Sequence, residues 1–207
     1  MNYLFFDIEC ATCRGGKGKI CEFGYLLTDD NFNEIKREEI LINPNSPFDW
    51  YTLKNLLHFT KNEYKSAPTY DSVYEKISKV LLEKDQIVFG HATKNDMKFL
   101  KDESDRYNLP YVDFWYSDIG IIFKNIFNLD EVRSLDKMCD DLEISQPEIL
   151  HTAEADAYTT MRILKEMCKR EKVNPDEFFK KYPSCFEKYD FTKKTKKELK
   201  KLKKTAE

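Results

Sequence analysis

Apolar residues follow two different spacings along this chain, and the change falls near residue 44. Before it lie three apolar, β-prone segments, at residues 2–8, 20–28 and 35–43. The first two are separated by a glycine-rich, basic stretch at 11–19, which is typical of a turn. Because the connections between the segments are short, we expect them to pair as an antiparallel meander.

Beyond Pro44 the apolar residues take helical spacing. Val73, Ile77 and Leu81 recur three to four residues apart. This spacing predicts a helix over 69–84. The later pattern predicts alternating elements, with strands at 86–90 and 111–118 and helices at 93–107, 118–127, 134–142, 152–170 and 175–182. Three antiparallel strands followed by alternating helices and strands predict an α/β fold, with one mixed sheet flanked by helices.

The composition indicates a packed domain with a distinct tail. Of the 207 residues, 41% are hydrophobic and 34% are charged, which provides enough apolar material for one core. The net charge of −3 is unevenly divided, because residues 187–207 hold nine lysines against four acids. We therefore expect a domain at 1–186 and a Lys-rich C-terminal tail at 187–207. An acidic domain favours cations, and a basic tail favours polyanions.

The sequence predicts a cytoplasmic protein with no membrane association. Its apolar run at 119–123 is far shorter than the roughly 18–20 residues that span a bilayer. The N-terminal segment lacks a basic region and reaches Asp7 too early for a signal peptide. In that compartment cysteines are expected to be thiols. Cys10, Cys13 and Cys21 suggest three zinc ligands, but no fourth follows at a typical spacing, so zinc is the weaker interpretation.

Five residues have the chemistry of a catalytic site. Asp7 and Glu9 are two residues apart on a predicted strand, so both carboxylates project to one face. Such a pair is costly when buried unless a cation compensates it. Asp96 follows an apolar strand, and His151 and Asp156 lie at the start of a helix with several small residues. The structural alternatives are acids that reach water at a strand end, an acid favoured by a helix dipole, and a histidine that satisfies a helix N-terminus.

The order of these residues is Asp-x-Glu, then Asp, then His-x4-Asp, and it resembles the DEDDh family of 3′–5′ exonucleases. The resemblance spans about residues 2–170 and implies a ribonuclease H-like mixed sheet. Three longer segments are also similar to the stretches around the motifs of that family, namely residues 59–77, 88–100 and 134–144.

The resemblance also implies roles for individual residues. His151 would be the general base, and residues 1–186 would form the exonuclease domain. The implied substrate is single-stranded DNA or RNA with a free 3′ end, cut to nucleoside 5′-monophosphates. Two divalent ions, Mg²⁺ or Mn²⁺, would be bound by the four carboxylates of Asp7, Glu9, Asp96 and Asp156.

Two motifs depart from the family pattern. After its first Asp-x-Glu the family usually has Thr and Gly, which help to seat the terminal nucleotide, whereas Cys10 and Ala11 follow here. In the second motif Ala92 and Asn95 stand where the family usually has Asn and Phe. The predicted metal ligands and base are unaffected. Thr152 argues against the related subgroup that has Tyr at this position.

Other functions and contacts stay open at this point. One alternative is a domain of the same fold that binds nucleic acid or a partner without turnover. Another is a proofreading module of a polymerase complex, although no polymerase-sized region indicates a polymerase partner. In the tail, the predicted nucleic-acid contacts are Lys193, Lys194, Lys196, Lys197, Lys200 and Lys201, with a merely solvated end as the alternative. Five aromatic residues are unassigned candidates for base stacking, namely Trp50, Tyr51, Phe59, Trp115 and Tyr116.

Overall fold

The structure of the protein is a computed structural model, and it describes residues 1–12, 18–145 and 151–192. The strands in these ranges are β1 (Asn2–Cys10), β2 (Ile20–Thr28), β3 (Glu34–Leu41), β4 (Gln86–Gly90), β5 (Trp115–Asp118) and β6 (Phe186–Lys188). The α-helices are α1 (Trp50–Asn55), α2 (Lys61–Ser66), α3 (Tyr70–Leu81), α4 (Lys94–Tyr107), α5 (Ile119–Ile126), α6 (Leu135–Leu142), α7 (Ala153–Glu171) and α8 (Pro175–Lys181).

The described strands form a mixed sheet in the order β3–β2–β1–β4–β5–β6. Strands β1 to β3 are the predicted antiparallel meander. Strands β4 and β5 run parallel to β1, and β6 is antiparallel to β5 at the far edge. The carboxyl ends of β1, β4 and β5 therefore meet at one end of the sheet, which is where parallel strands commonly present ligand-binding groups.

β1 lies near the centre of the sheet and is buried on both faces, so its sequence is a nearly continuous apolar run. Leu4 and Phe6 face a layer that contains α3 and α4. Phe5 faces the opposite layer, to which helices α5 to α8 contribute. Because side chains alternate along a strand, Asp7 and Glu9 continue the face of Phe5 and point toward the layer of α7.

Helices α1 and α2 are too short for hydrophobic periodicity to predict them. The sequence marks their starts only through capping residues. Thr60 and Glu63 form a reciprocal capping box at the start of α2. Leu57 and Tyr64 pack with Ala11, which follows the end of β1. The two unpredicted helices therefore lie beside the carboxyl end of β1.

The C-terminal part of the described chain packs onto β5. β6 pairs with β5, and Tyr189 and Phe191 pack against the core. The predicted boundary after residue 186 therefore falls within β6, and the packed part extends at least to Phe191. The segment from residue 193 onward lies outside the described residues. No helix in the described ranges has both the length and the apolar character needed to cross a bilayer.

Candidate active site

The carboxyl end of β1 and the first turn of α7 bring three acids together. One carboxylate oxygen from each of Asp7, Glu9 and Asp156 lies within 4.8 Å of the other two, and all three side chains are partly buried. Anionic oxygens this close repel one another unless a proton or a cation lies among them. Among the described residues, this is the group of potential ligand side chains with the spacing of a metal site.

Gly24 lets α7 approach the sheet closely. It lies opposite Asp7 in the pairing of β1 with β2. A Cβ atom added at Gly24 would overlap the backbone of Ala153 and Glu154, at the start of α7. The absence of a side chain at Gly24 thus allows the helix turn that carries Asp156 to lie directly against the sheet.

Two carboxylates of the sheet bind the N-terminus of α7. The Ala153 N–H donates to Glu22 Oε2 at 3.2 Å, and the Glu154 N–H donates to Glu39 Oε2 at 2.8 Å. The hydroxyl of Tyr64 donates to the other oxygen of Glu22, which is fully buried. The first N–H groups of a helix have no partner within it, and anions are favoured there. β2 and β3 therefore fix the position of the helix end that carries Asp156.

Asp96 lies in the first turn of α4 and is 5% exposed. Its Oδ2 atom is buried and has no hydrogen-bond partner. Such an atom is costly in a protein interior, and a bound cation would satisfy it. Asp118, at the end of β5, accepts from Thr93 N–H at 3.2 Å and Gly120 N–H at 2.9 Å. These bonds tie the start of α4, and with it Asp96, to the carboxyl end of the sheet.

Burial and mutual repulsion raise the pKa values of these acids. Burial, followed by the charge of Asp7, raises the pKa of Glu9 to about 10. Burial and neighbouring carboxylates also raise the pKa values of Asp7 and Asp96 well above the usual range. Burial raises the pKa of Asp156 to about 6, although the charge and backbone N–H of His151 act in the opposite direction. A divalent cation would favour the ionised forms of all four acids, so the residues present fit such an ion.

His151 lies at the rim of this cluster. It is exposed, and its backbone is left-handed, with φ 64°. Thr152 follows as the N-cap of α7. The backbone N–H of His151 donates to the Asp156 carboxylate. The imidazole is therefore open to water beside the acidic cluster.

The structure thus brings Asp7, Glu9 and Asp156 together. Asp96 is near enough for the charges of Asp7 and Glu9 to raise its pKa, and His151 lies beside Asp156. The structure also adds three acids that were not predicted, namely Glu22, Glu39 and Asp118. The sequence signal that could have identified them is an acidic residue within, or at the end of, a predicted strand. Cys10 and Cys21 are buried thiols. Cys13, the basic loop at 13–17 and the six predicted tail lysines lie outside the described residues, so zinc binding and tail contacts stay predictions.

The fold and the acid cluster together suit the hydrolysis of phosphodiesters by carboxylate-bound metal ions. The family model described as exonuclease, with ribonuclease T as its namesake, matches residues 4–164. The chain belongs to this family. It is an exonuclease, a hydrolase of nucleic acids. No curated protein matches the sequence.

Solved structures with the same fold include several nucleases. A full-length 3′-exonuclease superimposes with a TM-score of 0.74 at 16% identity, covering 84% of each chain. The nuclease domain of 3′hExo, a DEDDh family member bound to rAMP, gives 0.71 at 18% identity, covering 82% of this chain and 92% of that one. E. coli exonuclease I bound to a dT13 oligonucleotide gives 0.68 at 17% identity, covering 83% of this chain and 42% of the other. At these identities the likeness establishes the fold.

Proposed function

We propose that this exonuclease hydrolyses single-stranded DNA or RNA from a free 3′ end and releases nucleoside 5′-monophosphates, using two divalent ions. The observation that carries the proposal is the convergence of Asp7, Glu9 and Asp156 within 4.8 Å. The unpartnered buried oxygen of Asp96 supports it further. These are hard oxygen donors, which suit Mg²⁺ or Mn²⁺.

In this proposal Asp7, Glu9, Asp96 and Asp156 hold the ions. When bound, two such ions neutralise the charge of a phosphodiester and stabilise its attacking and leaving oxygens. The contribution of the chain is to fix the carboxylates in advance, through the bonds of Glu22 and Glu39 to α7. Preorganised ligands of this kind need little rearrangement during reaction.

His151 is the proposed general base. A ring nitrogen of the neutral imidazole accepts a proton from the attacking water. The water oxygen forms a bond to the phosphorus of the last phosphodiester. The bond from that phosphorus to the 3′ oxygen of the preceding nucleotide breaks, and this oxygen takes up a proton from solvent. The products are a nucleoside 5′-monophosphate and a chain shorter by one nucleotide.

Digestion of end-labelled oligonucleotides tests this function directly. DNA and RNA of one sequence, each labelled at the 5′ or the 3′ end, are incubated with Mg²⁺, Mn²⁺ or EDTA. We expect a ladder from the 5′-labelled strand and immediate release of labelled mononucleotide from the 3′-labelled strand. Internal cuts, or unchanged rates in EDTA, would contradict the proposal.

A charge-matched variant controls for general effects of removing an acid. Asp7→Asn is expected to be inactive, whereas Asp113→Asn, at an exposed residue paired with Lys188, is expected to be active. Binding without cutting by the wild type would favour the binding-domain alternative. Activity only after addition of a polymerase would favour the proofreading alternative.

A further inference from the structure

Trp50 is an exposed aromatic residue whose position the hydrophobic core does not explain. It is the first residue of α1, and 71% of its surface is exposed. Tryptophan is usually well buried in folded proteins. Lys54 lies one helical turn later, with its Nζ 4.9 Å from the centroid of the indole ring. The two side chains therefore present a flat apolar face and a positive charge together.

The start of α1 is held close to the acid cluster. The N–H of Asp49 donates to the carbonyl of Ala11 at 3.0 Å, and Ala11 is two residues beyond Glu9. Three Cα–Cα steps and one hydrogen bond limit the distance from the Glu9 Cα to the Trp50 Cα to about 18 Å. Tyr64 of the adjoining α2 also donates to Glu22, beside the cluster. The exposed start of α1 is thus tied to the segment that directly follows the acids of β1.

The charge of this segment suits a polyanion. Residues 50–66 contain three lysines and one acid, Glu63, which is engaged in the capping box at Thr60. The carboxylate of Asp49, next to the indole, accepts from the Thr52 N–H at 3.1 Å as the cap of α1. The carboxylates of Asp49 and Glu63 are therefore occupied by helix caps, while Lys54 is exposed.

We propose that Trp50 and Lys54 form a binding site for the single-stranded substrate a few nucleotides from its 3′ end. The indole stacks on a base, and the ammonium group of Lys54 contacts a phosphate. Stacking on an aromatic ring is tolerant of base identity, because every base has a π-face. The site would hold the strand while the terminal phosphodiester lies at the carboxylates. This inference rests on the proposed function, since it assumes a nucleic-acid substrate at that site.

The chain offers an internal fluorescence test, because Trp50 and Trp115 are its two tryptophans. Trp115 begins β5, three residues before Asp118, so it lies toward the opposite end of the sheet, and it stacks on Phe186 at 5.2 Å. In an Asp7→Asn background, Trp115→Phe leaves Trp50 as the reporter, and Trp50→Phe leaves Trp115. The probe is a 12-nucleotide oligothymidylate with a 5′ fluorescein, whose anisotropy reports binding independently.

We expect the oligonucleotide to quench Trp50 over the concentration range of the anisotropy change and to leave Trp115 unaffected. Trp50→Ala is expected to weaken binding about tenfold, with Trp50→Phe retaining part of the affinity and Trp115→Ala retaining all of it. Melting curves check that each variant folds. Two results together would overturn this inference alone: full affinity of the Trp50→Ala variant, and no quenching of Trp50 in the Trp115→Phe variant. Absence of an anisotropy change in every variant would overturn the proposed function itself.

Discussion

Substitution of Gly24 by alanine is predicted to impair catalysis without touching any acid. The added Cβ would lie 1.9 Å from the backbone nitrogen of Glu154. Ordinary van der Waals contact begins at 3.4 Å, so the two atoms would be about 1.5 Å too close. Backbone atoms cannot rotate away as a side chain can, so α7 and β2 must separate. Asp156 lies on the same helix turn, and a shift of this size is large against a carboxylate cluster whose oxygens lie within 4.8 Å.

The expected result is a modest loss of stability with a large loss of activity. Overpacking costs about 1–3 kcal/mol in most cores. A misplacement of about 1 Å at a catalytic site can cost about 100-fold in rate. The assay pairs urea denaturation with the initial rate of oligonucleotide digestion at several Mg²⁺ concentrations. The loss of activity should be accompanied by a higher Mg²⁺ requirement.

A destabilising core variant far from the acids separates these effects. Ile77 is fully buried in α3, on the face of the sheet opposite α7. Ile77→Val should cost about 0.5–1.5 kcal/mol and leave the rate of the folded enzyme unchanged. If Gly24→Ala retained more than a tenth of the wild-type rate at equal Mg²⁺, the close approach of α7 would not be what positions Asp156.

Four further predictions concern the acids, His151 and the Lys-rich tail. Asp7→Asn should abolish turnover and raise the melting temperature of the metal-free protein, since it removes a buried carboxyl whose pKa is raised by burial and by neighbouring acids. An active, well-folded variant would contradict this. His151→Ala should lower the rate by about 10²–10⁴ while calorimetry shows metal binding retained, and loss of both together would exclude a base role. Burial raises the pKa values of Asp156 to about 6 and Glu22 to about 7, so the folded state holds protons that the unfolded chain releases. In EDTA, the free energy of unfolding should therefore fall as pH rises from about 5 to 8. A flat profile would count against these shifts. Deletion of residues 193–207 leaves β6 intact. If roughly three tail lysines contact phosphates, the deletion should flatten the slope of log affinity against log salt by about 2. Superimposable slopes would indicate a solvated tail.

Much of the architecture is local and can be predicted from sequence. The helix at α3 follows from the spacing of Val73 and Ile77, and the strand at β1 from an apolar run buried on both faces. The common direction of Asp7 and Glu9 follows from the two-residue period of a strand. Each of these properties depends on neighbours within a few residues. The short helices α1 and α2 escaped prediction because six residues contain less than two turns of periodic signal.

The arrangement around the acids depends on tertiary structure. Glu22 receives the N–H of Ala153, which is 131 residues away in sequence, and Gly24 is needed only because α7 crosses β2 at that point. From sequence, Glu22 is simply an acid within an apolar strand. Strand register and helix packing decide which distant groups meet, and local patterns contain no information on either. The sequence therefore determined which residues have the chemistry of the site, while packing determined which additional carboxylates hold them in place.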